Sequence, residues 1–232
     1  MRNIFSKRLS VEVFLDNLLC SQGFKERAQV RPEITEQAAR ALDLALQFVE
    51  PAFVLDRFPV GPAGENKVKV GKIELNMGDN ACLLEKAEEA VIYVTTIGGK
   101  LEKAVNELSR RGNWELGYWL DCAGVLALNA VDREVWTLVE SMAEQEGYGV
   151  GMSLSPGSLK GWPVEEQRGL CSLLDTNRVG VSVNASYLLV PYKSASNLIG
   201  MGPGYNSARV LPACDYCVSE GNCWMKHAQG GA

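Results

Sequence analysis

Histidine is nearly absent from this chain: its 232 residues hold one, His227, among the last six. No Ser-His-Asp set and no zinc-protease helix can be assembled from that, and no phosphate-binding P-loop is present. No stretch approaches the ~18 uninterrupted apolar residues that a membrane helix needs. The basic start, Met1 to Arg8, leads into a polar-interrupted segment from Leu9 to Leu19 without the apolar core or small-residue cleavage site of a signal peptide. A basic surplus is missing too, with 23 Lys and Arg against 28 Asp and Glu, a net charge of -5 and a sequence pI near 5.1. No lysine and arginine run is interleaved with aromatics, which argues against a nucleic-acid surface and leaves proteins or small molecules as partners. Seven cysteines, an odd number, fit a reducing, cytoplasmic compartment better than a disulfide framework.

What is present is an apolar fraction of 47%, enough for a sizeable core. Val11, Phe14, Leu15, Leu18 and Leu19 recur at three-and-four spacing, which predicts a short amphipathic helix, either an appendage for a partner or a helix folded onto the core. Pro32 opens a second helix with Ile34, Ala38, Ala41, Leu42, Ala45 and Phe48 on one face, and Pro51 interrupts it. Alternation from Lys67 to Leu75 predicts a strand or hairpin arm. Asp79 or Asn80 is placed to cap a short helix through Glu89, and Ala90 to Ile97 reads as a buried strand. Gly98-Gly99, without a full spaced fingerprint, reads as a tight turn into a helix through Arg110 rather than a phosphate site. The longest helical signal runs from Trp114 to Glu146, about 50 Å at 1.5 Å per residue, with a bend expected near Gly117 or Gly124. Asp121 within it is open to two readings, a ligand contact or an anchor for a neighbouring amide. Val179 to Val190 reads as a further strand. Strands and helices alternate irregularly, so the fold class is α+β, a mixed or antiparallel twisted sheet flanked by helices. The expected organisation is an N-terminal helical appendage (1–31), an α+β domain (32–212) and a cysteine-rich tail (213–232).

Two glycine- and proline-marked loops stand out, Ser155 to Pro163 and Pro191 to Gly200. Both combine sharply bending residues with small hydroxyl side chains, so backbone donors can approach a polar ligand, and together they suggest one pocket. Trp162-Pro163 followed by Glu165-Glu166 reads as a helix start with acidic residues at the positive end of the dipole, rather than a catalytic pair.

The order of these pieces resembles the activation domain of cobalamin-dependent methionine synthase and its stand-alone relatives. The matching residues are Ser155, Pro156 and Gly157, then Trp162, Pro163, Glu165, Glu166 and Gln167, then Pro191, Lys193, Ser194 and Ser196. Upstream, Val94 to Gly98 and Leu120 to Gly124 are similar to two further family elements, so roughly half the chain is covered. The resemblance implies a protein that docks on a corrinoid protein, binds S-adenosylmethionine and supports reductive reactivation. It places the ligand at Ser153, Ser155, Pro156, Gly157, Ser158, Lys193 and Ser194. Ser153 stands where the family has an arginine that pairs with the ligand's carboxylate, and Ser158 where it has a tyrosine. A serine does not make the bidentate pair of a guanidinium, which leaves Lys160 or Lys193 to supply the charge.

The tail carries Cys214, Cys217 and Cys223 as C-x2-C-x5-C, a spacing that lets thiolates bend around zinc or a cluster iron, with His227 or a cysteine from elsewhere (Cys20, Cys82, Cys122 or Cys171) as fourth ligand. Redox-active thiols are the competing reading. The leading expectation is therefore an accessory protein to a corrinoid protein, with a metal or iron-sulfur centre. Its alternatives are a non-catalytic interaction protein with a structural zinc clip and a vestigial pocket, or a cysteine-based redox protein.

Overall fold

The run Glu89–Thr96 is rich in Val, Ile, Tyr and Thr and is buried along nearly its whole length, which makes it a central strand, β5. The computed structural model, which describes residues 4–7, 9–24, 26, 30–219 and 223, builds the molecule around it. The elements are β1 (Ile4–Lys7), α1 (Leu15–Ser21), α2 (Pro32–Phe48), β2 (Ala52–Ala63), β3 (Lys67–Val70), β4 (Ile73–Asn76), β5, α3 (Lys100–Arg110), α4 (Trp114–Glu146), β6 (Gly149–Leu154), α5 (Glu166–Cys171), β7 (Ser182–Val183), β8 (Leu189–Val190) and β9 (Ser194–Gly202). One sheet has the order β4-β3-β2-β5-β9-β6, with β1 on the first half of β2 beside β3, and all pairs are antiparallel. The fold is α+β.

Strand alternation divides the core in two. Phe53, Leu55, Val91, Tyr93, Ile199 and Met201 face the helical layer of α2 and α4. Val54, Ile92, Val94 and Leu198 face the β3-β4 hairpin and the stretch around α5, where Trp162 is fully buried. The helix α4 is continuous from Trp114 to Glu146, through both Gly117 and Gly124, and ends on Gly147 in the left-handed conformation. Gly124 serves close packing: a Cβ there would lie 2.8 Å from Leu101 Cδ2. Arg57 clamps the end of α4 to the sheet through a bidentate pair with Glu146 (2.5 and 2.7 Å) and a bond to Glu89 at the start of β5.

Three local expectations are corrected. Gly78–Leu84 is a 3-10 helix without a side-chain cap, not an Asp79- or Asn80-capped α-helix. Val179 to Val190 is not one strand but a 3-10 turn followed by the β7-β8 hairpin, because Asn184 Oδ1 accepts from the amides of Ser186 and Leu188 and bends the chain between them. Pro191 to Gly200 is a loop only at its start, since β9 begins at Ser194.

Leu18 and Leu19 of α1 are 0% and 1% exposed and join the core beneath α2 and α4. Leu18→Ala is therefore expected to cost about 2–5 kcal/mol in urea unfolding, as a buried leucine does. A cost below about 0.5 kcal/mol would show that α1 contributes no core packing.

Candidate functional site

On β5, Tyr93 and Thr95 lie two residues apart and so point to the same side, towards α4. On α4, Asp132 and Trp136 lie four apart and share the facing stripe. The pairs meet: Thr95 Oγ1 donates to Asp132 Oδ1 at 2.7 Å, and Trp136 Nε1 donates to Tyr93 Oη at 2.8 Å. Tyr93 Oη also lies 2.8 Å from Ser153 Oγ at the end of β6, so the seam reaches the first glycine-marked loop.

Beside this seam opens a cleft of about 280 Å³ lined by Asn129, Asp132, Arg133 and Trp136 of α4, by Ser153, Ser155, Ser158 and Leu159, by Asn197 of β9, and by Pro212, Ala213, Cys214 and Cys217. A larger hollow, about 660 Å³, lies beside Gly98, Gly99 and Pro191, but its one carboxylate, Glu50, pairs with Lys100 at 2.9 Å. The smaller cleft gathers more titratable and polar side chains. Asp132 keeps part of its surface open, yet protein surrounds it closely enough for burial to push its carboxyl up to about 7, with the Thr95 hydrogen bond opposing the rise. Burial, and next to it the Asp132 charge, keep the Tyr93 phenol protonated. Asn197 is 7% exposed and its Nδ2 is buried without an acceptor. Arg133 is the only lysine or arginine among the residues lining the cleft.

The residues singled out in the sequence divide. Ser153, Ser155 and Ser158 line the cleft, and Ser155 Oγ donates to the Ser196 carbonyl at 2.8 Å, tying the loop to β9. Pro156 is buried behind it, and Gly157 takes a φ of 75°, the left-handed turn that brings its amide 2.9 Å from the Trp162 carbonyl. Lys193 and Ser194 are elsewhere. Lys193 is 7% exposed with Nζ 2.8 Å from Asp121 Oδ1, which makes Asp121 an anchor for this lysine. Ser194 Oγ lies 2.8 Å from Thr96 Oγ1 and 2.7 Å from the Pro191 carbonyl, closing the turn onto β5. The expected single pocket between two loops is thus replaced by a cleft between the first loop and α4, to which the second segment contributes Asn197.

Lys160, the other candidate cation, is exposed and does not line the cleft. Cys214 and Cys217 do line it, but among the described residues no three His, Cys, Asp or Glu side chains gather into a group able to hold a metal ion, so Cys223 does not complete a ligand set. His227 lies outside the described residues. Among the described residues, then, no zinc or iron-sulfur ligand set is assembled. Reading from sequence missed Tyr93, Thr95, Asn129, Asp132, Arg133, Trp136 and Asn197. The available signal was the polar and aromatic set at positions 129, 132, 133 and 136, which keeps helical spacing beside an apolar stripe.

No family model matches the chain, and no curated protein matches it. Among solved structures, one of the MetH reactivation domain bound to AdoHcy is similar with a TM-score of 0.55 and 14% identity, over 88% of this chain and 81% of that one. The likeness is one of fold. Among the described residues no helix is long and apolar enough to cross a membrane.

The Asp132 carboxyl gives the folded state a proton that the unfolded chain loses near its ordinary pKa of 3.8. Stability is unaffected below that value and falls as pH rises from about 4 to 7, because there the folded state binds more protons. Asp132→Asn cannot titrate. Relative to the parent it is expected to gain on the order of 2–3 kcal/mol between pH 5 and pH 8 in denaturant titrations, somewhat under the full value of the shift because water reaches the open side. Equal pH dependence in the two proteins would show that Asp132 ionises normally.

Proposed function

We propose that the cleft binds a small molecule of the S-adenosylmethionine and S-adenosylhomocysteine class, and that the chain acts as an accessory protein in reductive reactivation of a corrinoid protein. The observation that carries this reading is the meeting of Ser153, Ser155 and Ser158 with Asp132, Arg133, Trp136 and Asn197 around one opening. The serines belong to the stretch that resembles the methionine synthase activation domain, and a solved structure of the same fold holds AdoHcy. S-adenosylmethionine would supply a transferable methyl group when bound, and S-adenosylhomocysteine is the form left without it; this chain's residues bind and orient the ligand.

The cleft residues fit such a ligand in three ways. Arg133 offers a guanidinium for the amino-acid carboxylate, taking over from α4 the charge that Ser153 lacks, and a guanidinium pairs with a carboxylate through two parallel hydrogen bonds. Asn197 Nδ2, buried without an acceptor, is a donor that a polar ligand atom would satisfy. Trp136 offers aromatic surface, while its indole N–H is already committed to Tyr93 and does not compete. A protein partner is consistent with the small size of the cleft, which leaves a large ligand such as a corrinoid to be presented from outside.

Titration calorimetry with S-adenosylhomocysteine is expected to show one site per chain, with thermal stabilisation growing with ligand concentration. Arg133→Ala should weaken that binding about tenfold or more. It should leave 5′-methylthioadenosine, which lacks the carboxylate, unchanged. Neither heat nor thermal protection from S-adenosylhomocysteine at millimolar concentration would remove the proposed ligand class.

A further inference from the structure

Cys214 and Cys217 occupy the cleft wall in a single turn of 3-10 helix, in which the Cys217 amide donates to the Cys214 carbonyl at 3.3 Å. A turn closed from residue i to i+3 holds the two Cα atoms within about 7 Å, and a disulfide spans Cα separations of about 4.4–6.8 Å. The turn is strapped to the first loop. The Lys160 amide donates to the Tyr216 carbonyl and the Val218 amide to the Ser158 carbonyl, both at 2.9 Å, and Leu159 faces Cys217 across an antiparallel bridge. This strapping holds Tyr216 to Val218 against the loop, and a bridge between Pro212 and Ser153 holds the chain just ahead of the pair, so both cysteines are kept in one place along the wall.

Both residues are partly exposed, and the Ser219 amide donates to Cys217 Sγ at 3.4 Å. Cys122 and Cys171 differ: they are buried, and burial pushes the Cys171 thiol up to about 11, which keeps it protonated and unreactive. The cleft-wall pair has no third ligand gathered beside it among the described residues. Two cysteines three positions apart in a closed turn, both partly exposed, have a chemistry of their own.

We propose that Cys214 and Cys217 form a reversible dithiol–disulfide pair built into the cleft wall, exchanging with low-molecular-weight disulfides. One cysteine thiolate attacks a sulfur of the small disulfide, forming a mixed disulfide and releasing one small thiolate. The second cysteine then attacks the protein sulfur of that mixed disulfide, closes the Cys214–Cys217 bond and releases the second small thiolate. The two cysteines lose two electrons and two protons, and the small disulfide gains them as two thiols.

This inference goes beyond the proposed function, and its test uses no cleft ligand, so each stands or falls separately. The folded full-length chain is equilibrated with oxidised and reduced glutathione at a series of ratios, quenched with acid, alkylated and mapped by mass spectrometry. A Cys214–Cys217 cross-link is expected, appearing as oxidised glutathione rises, absent after dithiothreitol, and formed equally in Cys223→Ser. In Cys217→Ser, Cys214 should stop at the glutathione mixed disulfide. A cross-link from either cysteine to Cys223, glutathione adducts on both without ring closure, or no reaction in excess oxidised glutathione would each overturn the proposal, and the parent protein alone decides among them should a variant fail to fold.

Discussion

Everything on the helical side of the sheet depends on how α4 lies against β5. For most of its length the contact is apolar: Leu116, Leu120, Ala123, Ala127, Val131, Val135 and Val139 are all buried against the sheet and the flanking helices. Apolar contact alone specifies a helix position poorly, because a slide of one turn replaces one aliphatic with another of similar size. Asp132 and Trp136 remove that freedom. Their bonds to Thr95 and Tyr93 satisfy groups that would be costly to leave unpaired at the edge of the core, and a one-turn slide breaks both. Asp132 and Trp136 of this seam also line the cleft, so the helix position and the site depend on the same two side chains.

How much of this was legible follows from whether a feature is local. The bounds of α4 emerge from spacing alone, the β3-β4 hairpin from alternation, and β5 from its run of Val, Ile and Thr, because each element buries what its own sequence marks. The β7-β8 hairpin does not, since its cause is one asparagine accepting two amides in a stretch otherwise rich in strand formers. At the site, the serines of the first loop were legible because turn chemistry marks them. Lys193 and Ser194 were drawn to the same pocket by equally suggestive turn chemistry, but β9 starts at Ser194 and alternation then decides which side chains face α4. Asn197 faces the cleft, whereas Ser196 points to the opposite side and meets Gln167. Thr95 with Asp132, and Tyr93 with Trp136, are 37 and 43 residues apart, and within its own element each residue is an ordinary strand or helix member.

The distribution of charge around the opening has a structural reason. A loop built of serine, proline and glycine approaches a ligand closely through its backbone but carries no cation. Here the cation comes from Arg133, on a helix whose position is fixed by packing along both flanks. A group on a rigid element holds its place better than the same group on a loop. The loop is then free to be shaped by what it straps, and what it straps is the cysteine turn of the tail.

Asp132 and Arg133 are neighbours in sequence and share the cleft, so their electrostatics cannot be separated. An anionic ligand group drawn to Arg133 meets a neutral carboxyl when Asp132 is protonated and a like charge when it is not. Because burial puts that change near pH 7, an anion entering the cleft binds with uptake of a proton just above neutrality. A cationic group, such as a sulfonium or an ammonium, works in the opposite direction and drives the proton off. A ligand bearing both, placed so that each charge meets its own partner, has both charges answered only when Asp132 is ionised, and the proton it displaces then identifies which end of it lies over β5.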